Sequence, residues 1–324
     1  MTAPDLSIVT PAFNEEANLP FLYQELRTVL DGLGLAWEWI VVDDHSRDGT
    51  FGVASGLAAA DPRVRCLRLS RNSGAHVALT CGLHAAGGAC AVVMAADLQD
   101  PPDVIGELLA RWRAGAKIVW AARAIREGET ASTLRFSRLY WRLVRKLIPE
   151  TTIPDTGADF FLVDRQALDA YGRFDERNIS AFMLINWMGF RQDVVTYTKR
   201  ARLHGQSGWT LSKKVELVVD SLISFSHLPI RMMSVIGFLV ALAGLAYAGW
   251  VALNALTGTP IQGWSSLMIV VLALGGAQMA MLGLLGEYMW RSYENGRRRP
   301  LYMIEAATPS QGSDRSGGSS AHGR

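Results

Sequence analysis

Three short acidic clusters each follow an apolar run of strand length in the N-terminal third of the chain. They are Pro11-Ala12-Phe13-Asn14-Glu15-Glu16, Asp43-Asp44-His45-Ser46-Arg47-Asp48-Gly49-Thr50 and Asp97-Leu98-Gln99-Asp100-Pro101-Pro102. Any one of them alone is also typical of a turn or a helix cap. Three at the strand ends of one sheet would converge, and gathered carboxylates suit Mg²⁺ or Mn²⁺ holding a diphosphate. The clusters therefore favour a cation-assisted site for a phosphorylated ligand.

Other features of the sequence count against several classes of protein. The phosphate-loop pattern Gly-x-x-x-x-Gly-Lys-Ser/Thr and the dinucleotide pattern Gly-x-Gly-x-x-Gly are both absent, which argues against an ATPase or a dinucleotide enzyme. The balance of 32 basic and 30 acidic residues argues against a nucleic-acid-binding protein. Cys66, Cys81 and Cys90 lie in apolar surroundings without metal-binding spacing, so we expect reduced cysteines in the core of a cytosolic domain.

Strand and helix patterns alternate through the region that carries the acidic clusters. The predicted strands are Leu6–Thr10, Trp37–Val42, Val64–Leu69, Ala89–Ala95 and Lys117–Ala121. The predicted helices are Glu15–Leu30, Gly52–Ala60, Val77–Ala86 and Pro102–Ala114. This order is typical of an α/β fold with a mostly parallel, Rossmann-like sheet covered on both faces. Ligands of such sheets bind at the carboxyl ends of the strands, where the three clusters stand.

Two long apolar runs, Met232–Leu256 and Ser265–Trp290, mark the C-terminal part of the chain. A helix of about 25 residues is roughly 37 Å long, enough to cross a hydrocarbon core of about 30 Å. Both runs are apolar on all sides, so a pair of buried core helices is the less favoured alternative. Basic residues flank the pair and the connection 257–263 is uncharged, which predicts that the catalytic domain and both termini are cytoplasmic. The chain is thus predicted to be an integral protein of the inner, or cytoplasmic, membrane, targeted by its internal spans because its start does not resemble a signal peptide.

Two further segments have amphipathic patterns. Arg135, Arg138, Arg142 and Arg145 recur at helical spacing and predict a basic helix suited to anionic headgroups and a lipid phosphate. Residues 211–227 predict an interfacial helix, and an ordinary surface helix is the alternative for either segment. The predicted organisation is a catalytic domain over residues 1–210, the interfacial helix over 211–227, two transmembrane helices within 228–291 (about 232–256 and 265–290), and a cytoplasmic tail over 292–324, disordered from about 308.

Taken in order, the motifs resemble those of a family 2 glycosyltransferase of the GT-A fold. The resemblance extends beyond the three clusters to Arg71-Asn72-Ser73-Gly74, Gly82-Leu83, Arg123, Gly157–Arg165, Arg202-Leu203-His204-Gly205-Gln206-Ser207, Gly286-Glu287-Tyr288 and Arg299-Pro300-Leu301-Tyr302. The last two motifs resemble the branch with a C-terminal two-helix hairpin. That branch comprises polyprenyl-phosphate glycosyltransferases similar to dolichyl-phosphate mannose synthase and bacterial undecaprenyl-phosphate sugar transferases.

The resemblance implies a set of site residues. Nucleotide-sugar contacts are implied at Pro11, Phe13, Glu15, Val42, Asp44, Ala96, Asp97 and Gln99, with Asp97 and Gln99 also holding Mg²⁺ or Mn²⁺. Catalytic roles are implied at Arg123 and Arg202, which resemble the basic residues around the phosphates. Asp159 is implied to act near the acceptor as a base or an orienter, and the alternative is that it only forms a turn at the edge of a strand. The acceptor phosphate is assigned to Arg126, Arg135, Arg138 and Ser207. Arginine suits such positions because its guanidinium donates two parallel hydrogen bonds to phosphate oxygens.

The sequence departs from the family pattern at two positions. The family usually has Asp-x-Asp before Leu-Gln, whereas this chain has Ala95-Ala96-Asp97. The position after Gly-x-Ser is commonly lysine in the family and is Gly208 here. Cation binding is therefore expected to depend on Asp97, Gln99, donor phosphates and water, and to be weaker or less selective. A degenerate, inactive homologue is one alternative.

The predicted function is inverting transfer of a sugar from a nucleotide sugar to a polyprenyl phosphate at the cytoplasmic face of the membrane, with undecaprenyl phosphate as the favoured acceptor. The product would be a lipid-linked monosaccharide for glycosylation of the cell envelope. UDP-sugars are favoured as donors over GDP-sugars, while the sugar and a homo-oligomeric state stay open. A processive polysaccharide synthase is disfavoured because its Gln-x-x-Arg-Trp signature is absent. A membrane-bound transferase acting on another lipid or glycan is the main alternative, and a non-enzymatic scaffold would not need the nucleotide-site residues.

Overall fold

The structure, a computed structural model, describes residues 4–123, 159–174, 180–200, 228–257, 263–297 and 299–309. An eight-stranded sheet has the order β7-β5-β6-β4-β1-β2-β3-β8. The strands are β1 (Leu6–Ala12), β2 (Trp37–Asp43), β3 (Val64–Leu69), β4 (Cys90–Val93), β5 (Ile118–Arg123), β6 (Phe160–Asp164), β7 (Gln192–Tyr197) and β8 (Ile304–Ala307). Pairing is antiparallel for β6 with β4 and β5 and for β8 with β3, and parallel elsewhere. The predicted mostly parallel α/β sheet is therefore confirmed.

The first four helices fall between the strands as the sequence patterns predict, with shifted ends, and two short helices, α5 and α6, were not predicted. They are α1 (Leu19–Gly32), α2 (Thr50–Ala60), α3 (Ala75–Ala85), α4 (Val104–Arg113), α5 (Arg165–Tyr171), α6 (Ala181–Trp187), α7 (Leu228–Leu256) and α8 (Trp264–Gly296). The prediction that the first helix starts at Glu15 is wrong by four residues. Asn18 and Leu19 donate instead to the Glu15 carbonyl in a turn, and Pro20 stands in the first turn of α1. Proline is well tolerated there because its missing N–H would have no partner within the helix.

Two apolar layers cover the two faces of the sheet. Alternate residues of β1 point to opposite faces, so Leu6 and Ile8 pack in one layer and Val9 in the other. The first layer contains the α1 stripe Leu19, Leu22, Leu26 and Leu30. The second contains α3, which lies so close that a Cβ added at Gly82 would be 2.3 Å from Val9 Cγ1. The buried cysteines lie within these layers, and all three are free thiols.

The register of the sheet brings the strand-end clusters together. Ala12 of β1 pairs with Asp43 of β2, and β4 lies directly on the other side of β1. The loops after β1, β2 and β4 therefore leave the sheet at one edge. The convergence of the three acidic clusters is confirmed, and it follows from the parallel pairing of consecutive strands.

The segment after the apolar helices differs from the predicted tail. Ile304–Ala307 forms β8, which pairs with the edge strand β3 in the register Leu67↔Ala307 and Leu69↔Ile304. Thr308 continues the contact, since its N–H donates to the Cys66 carbonyl at 2.9 Å. The chain thus returns to the sheet after α8 instead of leaving it. Disorder is predicted from about residue 308, and residues 310–324 of that segment lie outside the described part of the chain.

The two long C-terminal helices, α7 and α8, include the residues of the two predicted spans. Within α7, Ile230–Asn254 is long and apolar enough to cross a membrane, and its most apolar part has no buried residue. Among the described residues it is the one helix with that length and composition, so one of the two predicted spans is supported. The helices α7 and α8 contact each other where a Cβ added at Gly237 would lie 3.3 Å from Met281 Sδ. Small residues permit such close approach. The predicted basic helix and the interfacial helix 211–227 lie outside the described residues.

Candidate functional site

The loops after β1 and β2 are joined into one unit by backbone-to-side-chain hydrogen bonds. The Asn14 N–H donates to Ser46 Oγ at 2.9 Å, and the Arg47 N–H donates to Asn14 Oδ1 at 2.9 Å. The main chain adds a bond from the Asp44 N–H to the Ala12 carbonyl at 2.9 Å. These bonds satisfy polar groups that would otherwise need water or a ligand. The predicted nucleoside-binding loops therefore have a defined shape of their own.

The same two loops meet again at the start of α2. The Gly49 N–H donates to Glu16 Oε2 at 2.6 Å, and the Glu15 N–H donates to Thr50 Oγ1 at 2.8 Å. A carboxylate at this position also complements the positive end of the helix. Glu15 itself accepts a hydrogen bond from Asn18 Nδ2 at 2.6 Å. Glu15, a predicted nucleoside contact, therefore also stabilises the turn before α1.

Asp44 connects these loops to the loop after β3. Its buried carboxylate accepts hydrogen bonds from the Ser73 N–H at 2.7 Å and the Gly74 N–H at 2.8 Å. Burial raises the pKa of the Asp44 carboxyl above its ordinary value, against the lowering effect of the two backbone hydrogen bonds. Gly74 has a φ of 92°, which a residue with a side chain rarely adopts. Asp44 thereby fixes the entry into α3, in addition to its predicted role toward the nucleotide.

Each of the three clusters contains one non-glycine residue with positive φ. They are Asn14 at 57°, His45 at 59° and Leu98 at 60°. Asparagine and histidine adopt this conformation more readily than an aliphatic residue, for which it is strained. Such strain persists only where surrounding contacts impose it, and it is concentrated at functional sites. Its occurrence once in each cluster marks this edge of the sheet as the functional edge.

The loop after β4 holds the predicted cation ligands. Asp97 is nearly buried, and its Oδ1 accepts a hydrogen bond from the Gln99 N–H at 3.2 Å. Gln99 and Arg200 form two hydrogen bonds. The Arg200 N–H donates to the Gln99 carbonyl at 2.9 Å, and Gln99 Nε2 donates to the Arg200 carbonyl at 3.4 Å. The chain that leads toward Arg202 is thus tied to the predicted cation loop.

The donor set for a cation is small. Across the described ranges no three His, Cys, Asp or Glu side chains converge on one point. Asp97 and Gln99 supply carboxylate and amide oxygens, which are hard ligands of the kind that Mg²⁺ and Mn²⁺ prefer. The residues fit such a cation only as part of a set completed by a bound diphosphate or water, as expected from Ala95 in place of a first aspartate.

A cluster of charges lies beside this loop, at the ends of β5 and β7. Arg123, whose side chain is 14% exposed, forms a hydrogen-bonded ion pair with Asp159, whose side chain is 52% exposed. Burial alone would lower the pKa of Arg123, but attraction to Asp159, Tyr197 and Asp100 outweighs it and raises the pKa. The guanidinium is therefore firmly charged and held at the functional edge. Two residues predicted to be catalytic are brought together here.

Asp100 lies beneath that pair as a buried carboxylate. It is 1% exposed, and Tyr197 donates a hydrogen bond to its Oδ1 at 2.5 Å. Burial raises the pKa of Asp100, while the charge of Lys199 and the Tyr197 hydrogen bond oppose that effect. Its Oδ2 is buried and has no hydrogen-bond partner among the described residues. The cost of such a buried acceptor indicates a group retained for a purpose other than packing.

His76 at the start of α3 faces the same region. Its ring packs edge-on against Phe182 at 5.0 Å between ring centroids, and burial lowers its pKa despite the nearby charge of Asp159. Its Nδ1 is buried without a hydrogen-bond partner in the described residues. His76 is therefore a neutral imidazole next to the charge cluster.

Comparison with known proteins identifies the chain. The sequence profile described as Glycosyl transferase family 2 matches residues 7–172, which contain all three acidic clusters, Arg123 and Asp159. The chain belongs to this family. Its GT-A α/β fold has the mostly parallel sheet that the sequence patterns predict.

Relatives match this family 2 member over nearly its whole length. An uncharacterized glycosyltransferase of Synechocystis is 37% identical over 93% of this chain and 94% of its own length. A bactoprenol glucosyl transferase of Shigella phage SfV is 34% identical over 93% of this chain and 98% of its own. Glucosyl-3-phosphoglycerate synthase from Mycobacterium tuberculosis, solved with Mn²⁺, uridine diphosphate and phosphoglyceric acid, is 22% identical with a TM-score of 0.48 and covers 68% of this chain and 78% of its own. That structural likeness is too distant to bear on donor or metal.

The remaining predicted site residues of this family 2 member differ in how exposed their side chains are. Phe13 projects from the edge with 41% of its side chain exposed, and Pro11 is half-buried beside it. Val42 and Ala96 are buried, and the Val42 side chain packs under α3, so any nucleotide contact of Val42 falls to its main chain. The predicted phosphate and acceptor residues that lie outside the described part are Arg126, Arg135, Arg138, Arg202 and Ser207.

Sequence reasoning missed Tyr197, His76 and the burial of Asp100. Tyr197 and Asp100 are far apart in sequence, and they meet because β7 joins the sheet beside β5 with its carboxyl end at the same edge as the loop after β4. Asp100 stands in a quoted motif, yet a turn aspartate and a buried one look alike in sequence. One signal in the sequence could have pointed to Tyr197: it is a polar residue at the carboxyl end of β7, and that end of a parallel strand borders the site.

Proposed function

We propose that the chain transfers a sugar from a nucleotide sugar to a polyprenyl phosphate. The observation that carries this proposal is the nearly buried Arg123, held by Asp159 next to the Asp97 loop at the functional edge. A fixed guanidinium at such an edge suits a ligand that carries phosphate. Relatives named bactoprenol glucosyl transferases, 32–34% identical over 93% of this chain, support a polyprenyl phosphate as the acceptor.

The chemistry of the acceptor matches the groups present. The second pKa of a phosphate monoester is about 6, so a polyprenyl phosphate is largely dianionic at neutral pH and is already a nucleophile. The protein must hold two anions close together, align them, and stabilise the departing nucleoside diphosphate. Asp159 is engaged with Arg123, which supports a role in orienting the guanidinium in preference to a role as a base. Direct attack of the phosphate oxygen on the anomeric carbon would invert its configuration.

A divalent cation would be held by Asp97 and Gln99 together with the donor diphosphate. When bound, Mg²⁺ or Mn²⁺ neutralises charge on the diphosphate. Arg123 lies on the same side of the sheet and would share that task, with Arg202 as a further predicted donor. The hydrogen bonds between Gln99 and Arg200 support this assignment because they hold Arg200, two residues before Arg202 in the sequence, against the cation loop. We favour a UDP-sugar as donor, with a GDP-sugar as the alternative.

The acceptor would be reached at the cytoplasmic surface of the membrane. We assign Ile230–Asn254 of α7 as one span and the apolar part of α8 as the second, with the catalytic domain and both termini cytoplasmic. The pairing of β8 with β3 supports this arrangement, because two spans would return the chain to the side from which it left, where the residues after α8 could pair with the sheet. Arg126, Arg135, Arg138 and Ser207 are proposed to bind the acceptor phosphate, and residues 211–227 to lie in the interface.

The proposal is tested by release of nucleoside diphosphate from purified protein in detergent. UDP-glucose and GDP-mannose are each supplied with or without undecaprenyl phosphate and with Mg²⁺, Mn²⁺ or EDTA. We expect release only when both the lipid phosphate and a divalent cation are present. Release with a soluble sugar acceptor alone would favour the alternative acceptor class. No release with any donor in a panel of nucleotide sugars would favour the inactive homologue.

A further inference from the structure

Strand β8 brings one acidic side chain against the loop after β2. Glu305 Oε2 lies 3.2 Å from Arg68 Nε and 3.4 Å from His45 Nδ1, and the Glu305 side chain is 50% exposed. The pairing of β8 with β3 shifts register between Arg68 and Leu69, opposite the stretch of β8 that contains Glu305. Such irregularities redirect a side chain that regular pairing would point elsewhere. Glu305 therefore faces the guanidinium of Arg68 and the imidazole of His45.

Arg68 transmits this contact to the strand-end loop. Its Nη2 donates to the Ser46 carbonyl at 3.4 Å, and its Nε lies 3.7 Å from Asp43 Oδ2. Asp43 is fully buried, and its Oδ2 has no hydrogen-bond partner among the described residues, so the charge of Arg68 is its compensation. The guanidinium also lies over the Phe51 ring at 5.3 Å. Arg68 thus bridges Glu305 and the segment Asp43–Ser46.

His45 forms the second connection. Its Nδ1 lies 3.0 Å from the Leu69 carbonyl, and because a carbonyl oxygen only accepts, the Nδ1 atom carries the proton. Glu305 lies next to the same N–H group. His45 has a φ of 59°, a conformation that surrounding contacts must maintain. Through Ser46, the loop that His45 shapes also receives the Asn14 N–H of the first loop.

We infer that Glu305 is a positioning residue for the donor nucleotide, acting through Arg68 and His45 on the loop Asp43–Ser46. This inference rests on the proposed function, in which that loop binds the nucleoside. The consequence is that the segment following the second apolar helix completes the nucleotide site. Donor binding would then depend on a strand that the membrane hairpin delivers to the sheet.

The test compares Glu305→Gln with Glu107→Gln in the full-length protein in detergent. Glu107 is exposed on α4 and lies outside the proposed site, so its variant controls for loss of one negative charge. Isothermal titration with UDP and with GDP measures nucleotide binding. We expect Glu305→Gln to weaken binding of the preferred nucleotide about threefold to fivefold, the range of a partly exposed ion pair, and Glu107→Gln to leave it unchanged.

Steady-state kinetics separate positioning from general damage. Glu305→Gln should raise the KM for the nucleotide sugar by about the same factor, with the KM for undecaprenyl phosphate and kcat unchanged. A double-mutant cycle with His45→Asn, a residue that tolerates positive φ, should show that the two losses are not additive. Strictly additive losses, or equal binding of the preferred nucleotide by the Glu305 and Glu107 variants, would overturn the inference. A wild-type protein that binds neither UDP nor GDP would instead overturn the proposed function.

Discussion

The loops after β1 to β3 and the loops after β4 to β7 satisfy their polar groups in different ways. On the first side, Asp44 and Glu16 accept hydrogen bonds from main-chain N–H groups of neighbouring loops. On the second side, Arg123 pairs with Asp159 through side chains. Each side has one buried carboxylate oxygen without a hydrogen-bond partner among the described residues, Asp43 Oδ2 on the first side, with Arg68 Nε at 3.7 Å, and Asp100 Oδ2 on the second. We call these the donor side and the charge side of the functional edge.

This difference indicates different tasks. Main-chain hydrogen bonds fix the shape of the donor side before any ligand binds, as a nucleoside pocket requires. Side-chain charges on the charge side are costly to bury and gain most from a ligand of complementary charge. Changes on the charge side should therefore act mainly on the reaction rate. Changes on the donor side should act mainly on stability and nucleotide affinity.

Replacing Arg123 is expected to have the largest effect. Arg123→Ala removes the fixed cation of the charge side and should lower kcat by about 10²–10³-fold, as for loss of one preorganised charge donor. The kcat of Arg123→Lys should lie between those of the wild type and Arg123→Ala, because an ammonium group keeps the charge but cannot donate two parallel hydrogen bonds. Arg113→Ala, at an exposed arginine of α4, is the matched control. A fall in nucleotide affinity with an unchanged kcat would place Arg123 on the donor side instead.

Asp97 tests the cation part of the charge side. Asp97→Asn should reduce turnover by roughly 10–100-fold and raise the Mn²⁺ concentration needed for half-maximal activity, because one of few hard oxygen ligands is lost. Asp169→Asn changes an exposed aspartate on α5 in the same way and should be neutral. Turnover of the Asp97 variant as a function of Mn²⁺ concentration is the measurement. An unchanged Mn²⁺ requirement would remove Asp97 from the cation site.

Gly82 tests the rigidity of the donor side. Gly82→Ala should destabilise the fold by about 1–3 kcal/mol, since the added methyl group would lie 2.3 Å from Val9 Cγ1 in a packed layer. Gly52→Ala is the control, because no atom lies within 4 Å of its added Cβ. At that helical position alanine should stabilise by about 0.5–1 kcal/mol. Thermal unfolding in detergent compares the two variants. Equal midpoints would show that α3 packs loosely against the sheet.

Asp100 gives the smallest expected effect, seen in the pH dependence of stability. Burial raises its pKa in the folded protein, whereas in the unfolded chain it titrates near the ordinary value of about 4. As pH rises above that value, the unfolded chain loses the proton first, so the wild type loses stability relative to Asp100→Asn. The difference in thermal midpoint between variant and wild type should grow from pH 4 upward and then level off. A difference that shrinks with rising pH would contradict the raised pKa.

The sheet and its functional edge could be predicted because their signals are local. Runs such as Cys90–Val93 are continuous and apolar, and the three clusters that follow β1, β2 and β4 contain turn residues, so parallel pairing alone brings them to one edge. Asp97 and Arg123 were predicted as site residues by motif resemblance, and the structure puts both at this edge. In both cases the sequence indicated where a residue stands along its strand, but not which residues lie beside it in the neighbouring strands.

The features that escaped prediction depend on distant pairing. In β8, Ile304 is 47% exposed and its neighbours are mostly exposed, so the strand has no alternating pattern and is defined by its partner β3. Tyr197 and Asp100 meet across a separation of 97 residues. A short edge strand and a buried polar pair are both set by tertiary context, which outweighs local propensity.

The central claim is transfer of a sugar to a lipid phosphate, and product mass tests it most directly. Purified protein is incubated with undecaprenyl phosphate, Mn²⁺ and a panel of nucleotide sugars, and the lipid extract is analysed by mass spectrometry. We predict one new species at the mass of undecaprenyl phosphate plus one sugar residue, absent for Arg123→Ala at matched times and retained for Arg113→Ala. A sugar on a soluble acceptor with the lipid phosphate unmodified would contradict the account.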